Sequence, residues 1–339
     1  MKRSVEIRVV YIVAALALLM AAPARPAAAD ETKAVFGLPG IPPVFGTVVA
    51  YVAARQGFFK KHGVEVTLRP FDSGAAAARA VASGDIEMSL SPTPLVINQL
   101  SNSDVQLVAI YGLENPDWLL ATTDPAIASC KEIAGKQVGV DSIGGARSIA
   151  LKELIRTCGL KIESVQQVPL STNTDQAMVA GQLKVGVLHL DDVPRIEGQT
   201  KKPLKILVTQ KDAAPVSHYL VIVAHRDKLA KNRATFVKML AGLIDAQAFM
   251  KNPANAARVA EIAGETGRPA ADAQKALKQY LAMEFWPDGH PGLTRKNLDA
   301  VTAKQVAVGN IPPDKKPVAY ERLTDASVWQ DALKLTKGH

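Results

Sequence analysis

The sequence predicts an α/β protein of two lobes, each a parallel-rich sheet flanked by helices. Three observations carry this: a β-α alternation that begins after Asp30, its restart after Pro125, and two extended stretches, residues 114–124 and 211–218, that link one run to the other. Strands separated by helix-length segments pair in parallel, and the helices then cover the faces of the sheet. A chain of 339 residues, 48% hydrophobic and 21% charged, is long enough to bury two such cores.

In the first run, residues 33–38 read as a short buried strand. Residues 47–61 read as a helix with apolar Val48, Val49, Val52, Ala53, Phe58 and Phe59, ended by Gly63. A strand follows at 64–71, Ser73 caps an alanine-rich helix that runs to Ser83, and 86–90 is a third strand. Pro92 and Pro94 open a helix to Leu100, and 105–111 is the fourth strand. The second run reads strand 137–141, helix 145–158, strand 165–170, helix 174–180, and strands 185–190 and 205–209. After one more apolar strand at 218–224 the pattern is nearly all helical: 232–251, 253–263, 270–282, 294–308 and 325–335.

Lysine plus arginine total 40 against 32 acidic residues, a net charge of +8, of which Lys2, Arg3, Arg8 and Arg25 against Glu6 supply +3. No run of five or more basic residues occurs, which argues against a nucleic-acid partner. The basic start, the apolar run 9–22 and Ala27-Ala28-Ala29 form a secretory signal peptide over residues 1–29. That run is shorter than the roughly twenty residues needed to span a bilayer. No cysteine lies near it for lipid attachment and no Arg-Arg pair marks the twin-arginine route, so the mature protein is expected free in the periplasm. Export puts Cys130 and Cys158 in an oxidising compartment, where one bridge is expected, two buried free thiols being the other reading. Two thiols cannot form a four-ligand zinc site and the six histidines lack metal-binding spacing, so neither metal nor cofactor is expected.

Four segments in order resemble periplasmic solute-binding proteins of the nitrate, sulfonate and taurine transporter class. They are 53–66 (Ala-Ala-Arg-Gln-Gly-Phe-Phe-Lys-Lys-His-Gly-Val-Glu-Val), the helix-Gly-Asp-strand step at 80–89, the Lys-Glu-Ile-Ala-Gly-Lys-Gln-Val-Gly-Val of 131–140, and 177–187. The resemblance implies a type II periplasmic binding protein fold, with residues 30–115 and 217–339 forming one lobe and 116–216 the other. It implies capture of a small solute, an organic anion such as a sulfonate or carboxylate, by lobe closure. Delivery would be to an inner-membrane ABC permease, by a monomer that is not an enzyme. A ligand-presenting partner of a membrane sensor, or an enzyme on the same fold, would use the same cleft. At 182–187 the chain reads Gln-Leu-Lys-Val-Gly-Val where the family usually has Gly-x-Val-Asp-Ala, and the cysteine-rich motif of the related thiamine-pyrimidine enzymes is missing.

Ligands of parallel sheets bind beyond the carboxyl ends of the strands, which points to particular loops. After the first strand, Pro42 stiffens a loop whose Phe45 either stacks on a ligand or completes a structural turn. Ser91 and Thr93 either bind ligand or cap the helix that follows, and the same choice holds for Thr172 and Asn173. Gly144, Gly145, Ala146 and Arg147 form a turn whose free amides and guanidinium suit an anion, unless Arg147 points outward. Under that reading a Gly145→Val change closes the cradle. It is not a nucleotide-binding glycine motif. His189 and Asp192 are open candidates for a ligand amine or hydroxyl, whereas Asp191 is assigned to the helix dipole. Glu114 and Trp118 flank the first crossing, and His218, at the second, reads as structural.

Processing is expected between Ala29 and Asp30. Intact-mass measurement on the exported protein checks it, and a mass retaining residues 1–29 contradicts it.

Overall fold

The computed structural model describes residues 32–287 and 293–337; the expected signal segment and its cleavage point lie outside the described residues. Ten strands among the described residues form two five-stranded sheets. The first has the order β2-β1-β3-β10-β4, built from β1 (Thr32–Pro39), β2 (Val64–Phe71), β3 (Met88–Pro92), β4 (Leu107–Glu114) and β10 (Leu220–His225). The second, β7-β6-β8-β5-β9, is built from β5 (Leu119–Thr122), β6 (Gln137–Val140), β7 (Gln166–Pro169), β8 (Val185–Leu188) and β9 (Lys205–Thr209). In each sheet a central strand pairs in parallel with two neighbours, β1 with β2 and β3, and β6 with β7 and β8.

The sheets are parallel-rich as expected, and the fourth position of each holds the strand that runs the other way. β10 runs antiparallel to both β3 and β4, and β5 runs antiparallel to both β8 and β9. Each of these strands enters its sheet directly after the chain has crossed from the other one. β5 lies inside the stretch expected to be only a crossing, because Leu119-Leu120-Ala121-Thr122 is too short to carry a periodic signal.

Elsewhere local chemistry sets the elements. β3, β4 and β5 are buried along their whole length, as strands covered on both faces must be. Edge strand β2 alternates between exposed and partly covered residues. The expected helix 47–61 is split into α1 (Val48–Arg55) and α2 (Phe58–Lys61) by Gly57, whose φ of 73° is left-handed. Ser73 caps α3 (Gly74–Ala82) as expected, its hydroxyl accepting from the Ala76 amide. Then come α4 (Thr93–Asn102), α5 (Ala146–Arg156), α6 (Thr174–Val179), α7 (Asp192–Thr200), α8 (Gln210–Ala213) and α9 (Arg226–Lys231). The carboxyl-terminal helices are α10 (Arg233–Lys251), α11 (Ala256–Ala263), α12 (Ala270–Ala282), α13 (Arg295–Ala307), α14 (Tyr320–Leu323) and α15 (Ser327–Lys337).

One apolar core, including Phe36, Leu90, Val140 and Leu154, runs continuously from the first sheet to the second. Two smaller cores lie under α4 and α13 and under α6 and α7. A disulfide joins Cys130, before β6, to Cys158, just past α5, with Cα atoms 6.0 Å apart. No helix among the described residues is long and apolar enough to cross a membrane.

The disulfide closes a loop of 28 residues. Such a loop contributes roughly 3 to 4 kcal/mol by restricting the unfolded chain. Replacing both cysteines with alanine should lower the stability measured in urea by up to that amount, with the slope against denaturant also changing as the unfolded chain expands.

Candidate functional site

Every strand in a parallel pairing ends at one cavity between the sheets. Pro39, Gly40 and Val44 follow β1; Asp72, Ser73 and Gly74 follow β2; Pro92 ends β3. From the second sheet come Asp141, Ala146 and Arg147 after β6, Thr172 after β7 and His189 after β8, and the crossings add Trp118 and Tyr219. The cavity measures about 20 Å³, and a second of the same size shares the Pro92, Trp118, Ala146 and Tyr219 walls and reaches Gln210 and Glu153. A single water needs about 10 to 15 Å³ on such a measure, so this arrangement is nearly closed.

Of the residues expected to bind ligand, Ala146, Arg147, Thr172 and His189 line the cavity. Arg147 points inward, its side chain only 3% exposed. Its Nη1 donates to the Ser171 carbonyl at 3.1 Å, Nη2 lies 3.6 Å from Asp192 Oδ2, and the guanidinium sits 5.7 Å from the Trp118 ring centroid. Its Nε has no partner, and neither has Nε2 of His189. The His189 ring stacks on Trp118 at 3.8 Å between centroids, with Nδ1 hydrogen-bonded to Asp117 at 2.9 Å. Thr172 donates to the Pro42 carbonyl at 3.2 Å, and Ser171 donates to the Asp72 carbonyl at 2.9 Å, so both bridge the two sheets.

The expected anion cradle is not open. The Asp141 carboxylate takes the Ala146 amide at 2.9 Å and the Arg147 amide at 3.1 Å, while the Gly145 amide donates to the Ser142 carbonyl. Gly144 is exposed, with φ 75° and its amide bonded to Ser148. Gly145 is needed for a different reason from the one expected, since a Cβ there would lie 2.6 and 2.7 Å from the Asp141 oxygens. A valine would strike the helix cap rather than a ligand.

The remaining candidates lie in the walls. Phe45 is buried, stacked on Tyr280 at 5.3 Å with the Arg268 guanidinium 5.6 Å from its centroid, so its ring packs in the core. Pro42 is half-buried behind the cavity lining. Ser91 bonds Ser89, and Thr93 bonds His218; neither caps α4 with its side chain. Asn173 precedes α6 without a side-chain cap. Glu114 is fully buried against Trp286, whose indole nitrogen donates to Oε1 at 3.2 Å; burial and the nearby Asp117 raise its pKa well above the usual carboxylate range.

Behind the cavity lies a buried charge network that the sequence reading left out. Tyr280 Oη sits 2.6 Å from both Asp117 and Asp191. Burial and those two carboxylates raise the phenol well above its ordinary pKa. Arg268 is paired through Nε with Asp191, donates to the Pro43 and Thr266 carbonyls, and lies 3.8 Å from Asp192. Asp191 is therefore an ion-pair partner and not only a dipole cap: burial pushes its pKa up, but Arg268, His189 and the hydrogen bonds from Tyr280 and Arg268 together outweigh that and hold it low. Asp192 has the opposite balance. Burial and the neighbouring Asp191 and Asp175 raise it to about 6 against Arg147 and Arg268. Arg268 and Tyr280 come from the carboxyl-terminal region, far from any strand loop, and only their charge and aromaticity could have marked them.

Comparison with known proteins fits this architecture. A family model described as NMT1/THI5 like matches residues 45–256. A Brucella abortus protein named as a binding protein is 20% identical over 207 residues, an alignment that spans 60% of this chain and 63% of the relative's length. A Haemophilus influenzae protein named for thiamine biosynthesis is 21% identical over 262 residues, covering 76% of this chain and 79% of its own. Among solved structures, the periplasmic nitrate-binding protein of Synechocystis superposes with a TM-score of 0.75 at 11% identity, covering 91% of this chain and 90% of that one. The alkanesulfonate-binding protein of Xanthomonas axonopodis, bound to MOPS, superposes at 0.67 with 14% identity, covering 88% and 98%. A desulfurization enzyme shares the fold at 0.59 with 11% identity, covering 90% and 99%.

The Asp192 environment generates a pH signature. With a folded pKa near 6 and an ordinary value of 3.8, the folded state binds this proton more tightly than the unfolded chain. Stability from this group is therefore gained as pH falls from about 6 to 4 and lost as it rises, by roughly 3 kcal/mol or less. Thermal unfolding across pH 4 to 6 should flatten in Asp192→Asn relative to the parent. An unchanged slope places the titration elsewhere.

Proposed function

The chain belongs to the NMT1/THI5-like family, and from that premise we propose that it is the solute-binding component of an ABC importer, exported to the periplasm and docking on an inner-membrane permease. The observation that carries this reading is the convergence of six parallel-strand ends on one cavity that holds unpartnered polar atoms on Arg147 and His189. Residues 30–115 and 217–339 would then move as one lobe and 116–216 as the other, about the two crossings. A small solute enters when the sheets separate, and closure surrounds it. Ligand-free and ligand-bound shapes then differ in the face shown to a permease.

The role proposed is binding without bond making. The solved neighbours named for nitrate and alkanesulfonate support it. The disulfide also ties up both cysteines, the side chains best suited to nucleophilic attack at neutral pH. The desulfurization enzyme on the same fold would require a positioned nucleophile and base. Among the cavity residues His189, with its Nδ1 held by Asp117, is a candidate base, but no hydroxyl is hydrogen-bonded to its ring.

A thermal-shift screen of the mature protein against small carboxylates, sulfonates, amides and amines tests the reading, since a solute at 100 times its Kd stabilises by roughly 2.7 kcal/mol. No shift with any class speaks against it. For a solute found in this way, Arg147→Ala should weaken binding by about ten- to a hundred-fold in calorimetry, and Arg147→Lys should recover part of the loss.

A further inference from the structure

The start of α5 is where a free oxyanion would be expected to sit, because its first amides face the cavity and the helix dipole adds positive potential. In this chain that seat is taken. Asp141 places one oxygen on the Ala146 amide and the other on the Arg147 amide, and Gly145 leaves room for the carboxylate. The Arg147 side chain, 3% exposed and lining the same cavity, has its two terminal nitrogens occupied by Ser171 and Asp192 and only Nε unpartnered. The charges around the cavity point the same way. Asp72 and Asp141 line it, Asp117 and Asp192 hold His189 and Arg147 from behind, and Arg147 is the one guanidinium in the lining, since Arg268 is committed to Asp191.

We propose that Asp141 is a specificity-determining residue: a built-in carboxylate that fills the oxyanion seat of the cleft, so that the solute is a neutral or cationic polar molecule offering one acceptor to Arg147 Nε. This rests on the solute-binding reading of the cleft and narrows it. A second anion at the same amides would meet Asp141 at van der Waals distance, where two unit charges repel strongly in a site nearly closed to water.

The experiment removes the internal anion and asks whether an external one takes its place. Parent, Asp141→Ala, Asp141→Gly and Asp141→Asn proteins are titrated with nitrate, sulfate and methanesulfonate, with chloride at matched ionic strength as control, following unfolding midpoint and tryptophan fluorescence. The parent is expected to show no oxyanion-specific response. Asp141→Ala and Asp141→Gly should gain one, binding about ten-fold or more tightly than the parent. Asp141→Asn, which keeps an amide oxygen in the seat, should gain less. If the alanine or glycine variant is too unstable to titrate, the other two and the parent still decide the matter. Oxyanion binding by the parent as tight as by the variants overturns the proposal, as does the lack of any gain in variants that fold. Neither outcome touches the solute-binding reading, which fails only if the parent responds to no solute class at all.

Discussion

The architecture depends on an exchange of strands. Each sheet is completed by a strand that arrives from the other half of the molecule, β5 in one and β10 in the other, and both pair antiparallel to their neighbours. The exchange forces the chain to cross twice, and the crossings lie side by side: the Tyr219 amide donates to the Glu114 carbonyl at 3.0 Å and the Gln210 amide to the Trp118 carbonyl at 2.7 Å. With both connections on one edge, the carboxyl ends of the parallel strands in the two sheets are left facing each other. The cavity is a consequence of topology before it is a matter of side chains.

That topology has an electrostatic cost concentrated behind the cavity. Asp117, Asp191, Asp192 and Arg147 are buried and Arg268 is largely covered, and desolvating so many charges is tolerable only when each finds a partner. The pairing is uneven: Arg268 satisfies Asp191 closely, while Asp192 shares two more distant guanidiniums and has its pKa raised. Arg268 also reaches back to the Pro43 carbonyl and so binds the loop after β1 to the loop after β8. A second set of contacts, Gln305 and Gln210 on the buried Glu153, ties α13 and α8 to α5. Polar groups therefore span the seam alongside the continuous apolar core.

Much of the fold was legible because it is local. The Ser73 cap, the strand 64–71 and the helix 270–282 are fixed by neighbours in sequence, and the structure has them where capping and periodicity put them. β5 was not, because four apolar residues next to a crossing carry no period. For the site, the loops after β6, β7 and β8 followed from the alternation, and five of their residues, four of them expected, reach the cavity. The occupied state of the amide cradle was missed although the signal was present: an Asp four residues before a helix-starting glycine is a carboxylate within reach of the first turn. Arg268 and Tyr280 were out of reach, since nothing in α12 or the loop before it indicates that 77 and 89 residues earlier lies the carboxylate they share.

The small size of the cavity has a kinetic side. On the solute-binding reading, a space of about 20 Å³ has room for little more than water, so a solute would enter only when the sheets move apart. The observed affinity would then be the intrinsic affinity scaled by how often that opened form is visited. Departure would pass through the same opened form. Residence time would then be governed by how readily the Arg268, Thr172 and Gln305 links across the seam let go, and only secondarily by the contacts made with the solute itself.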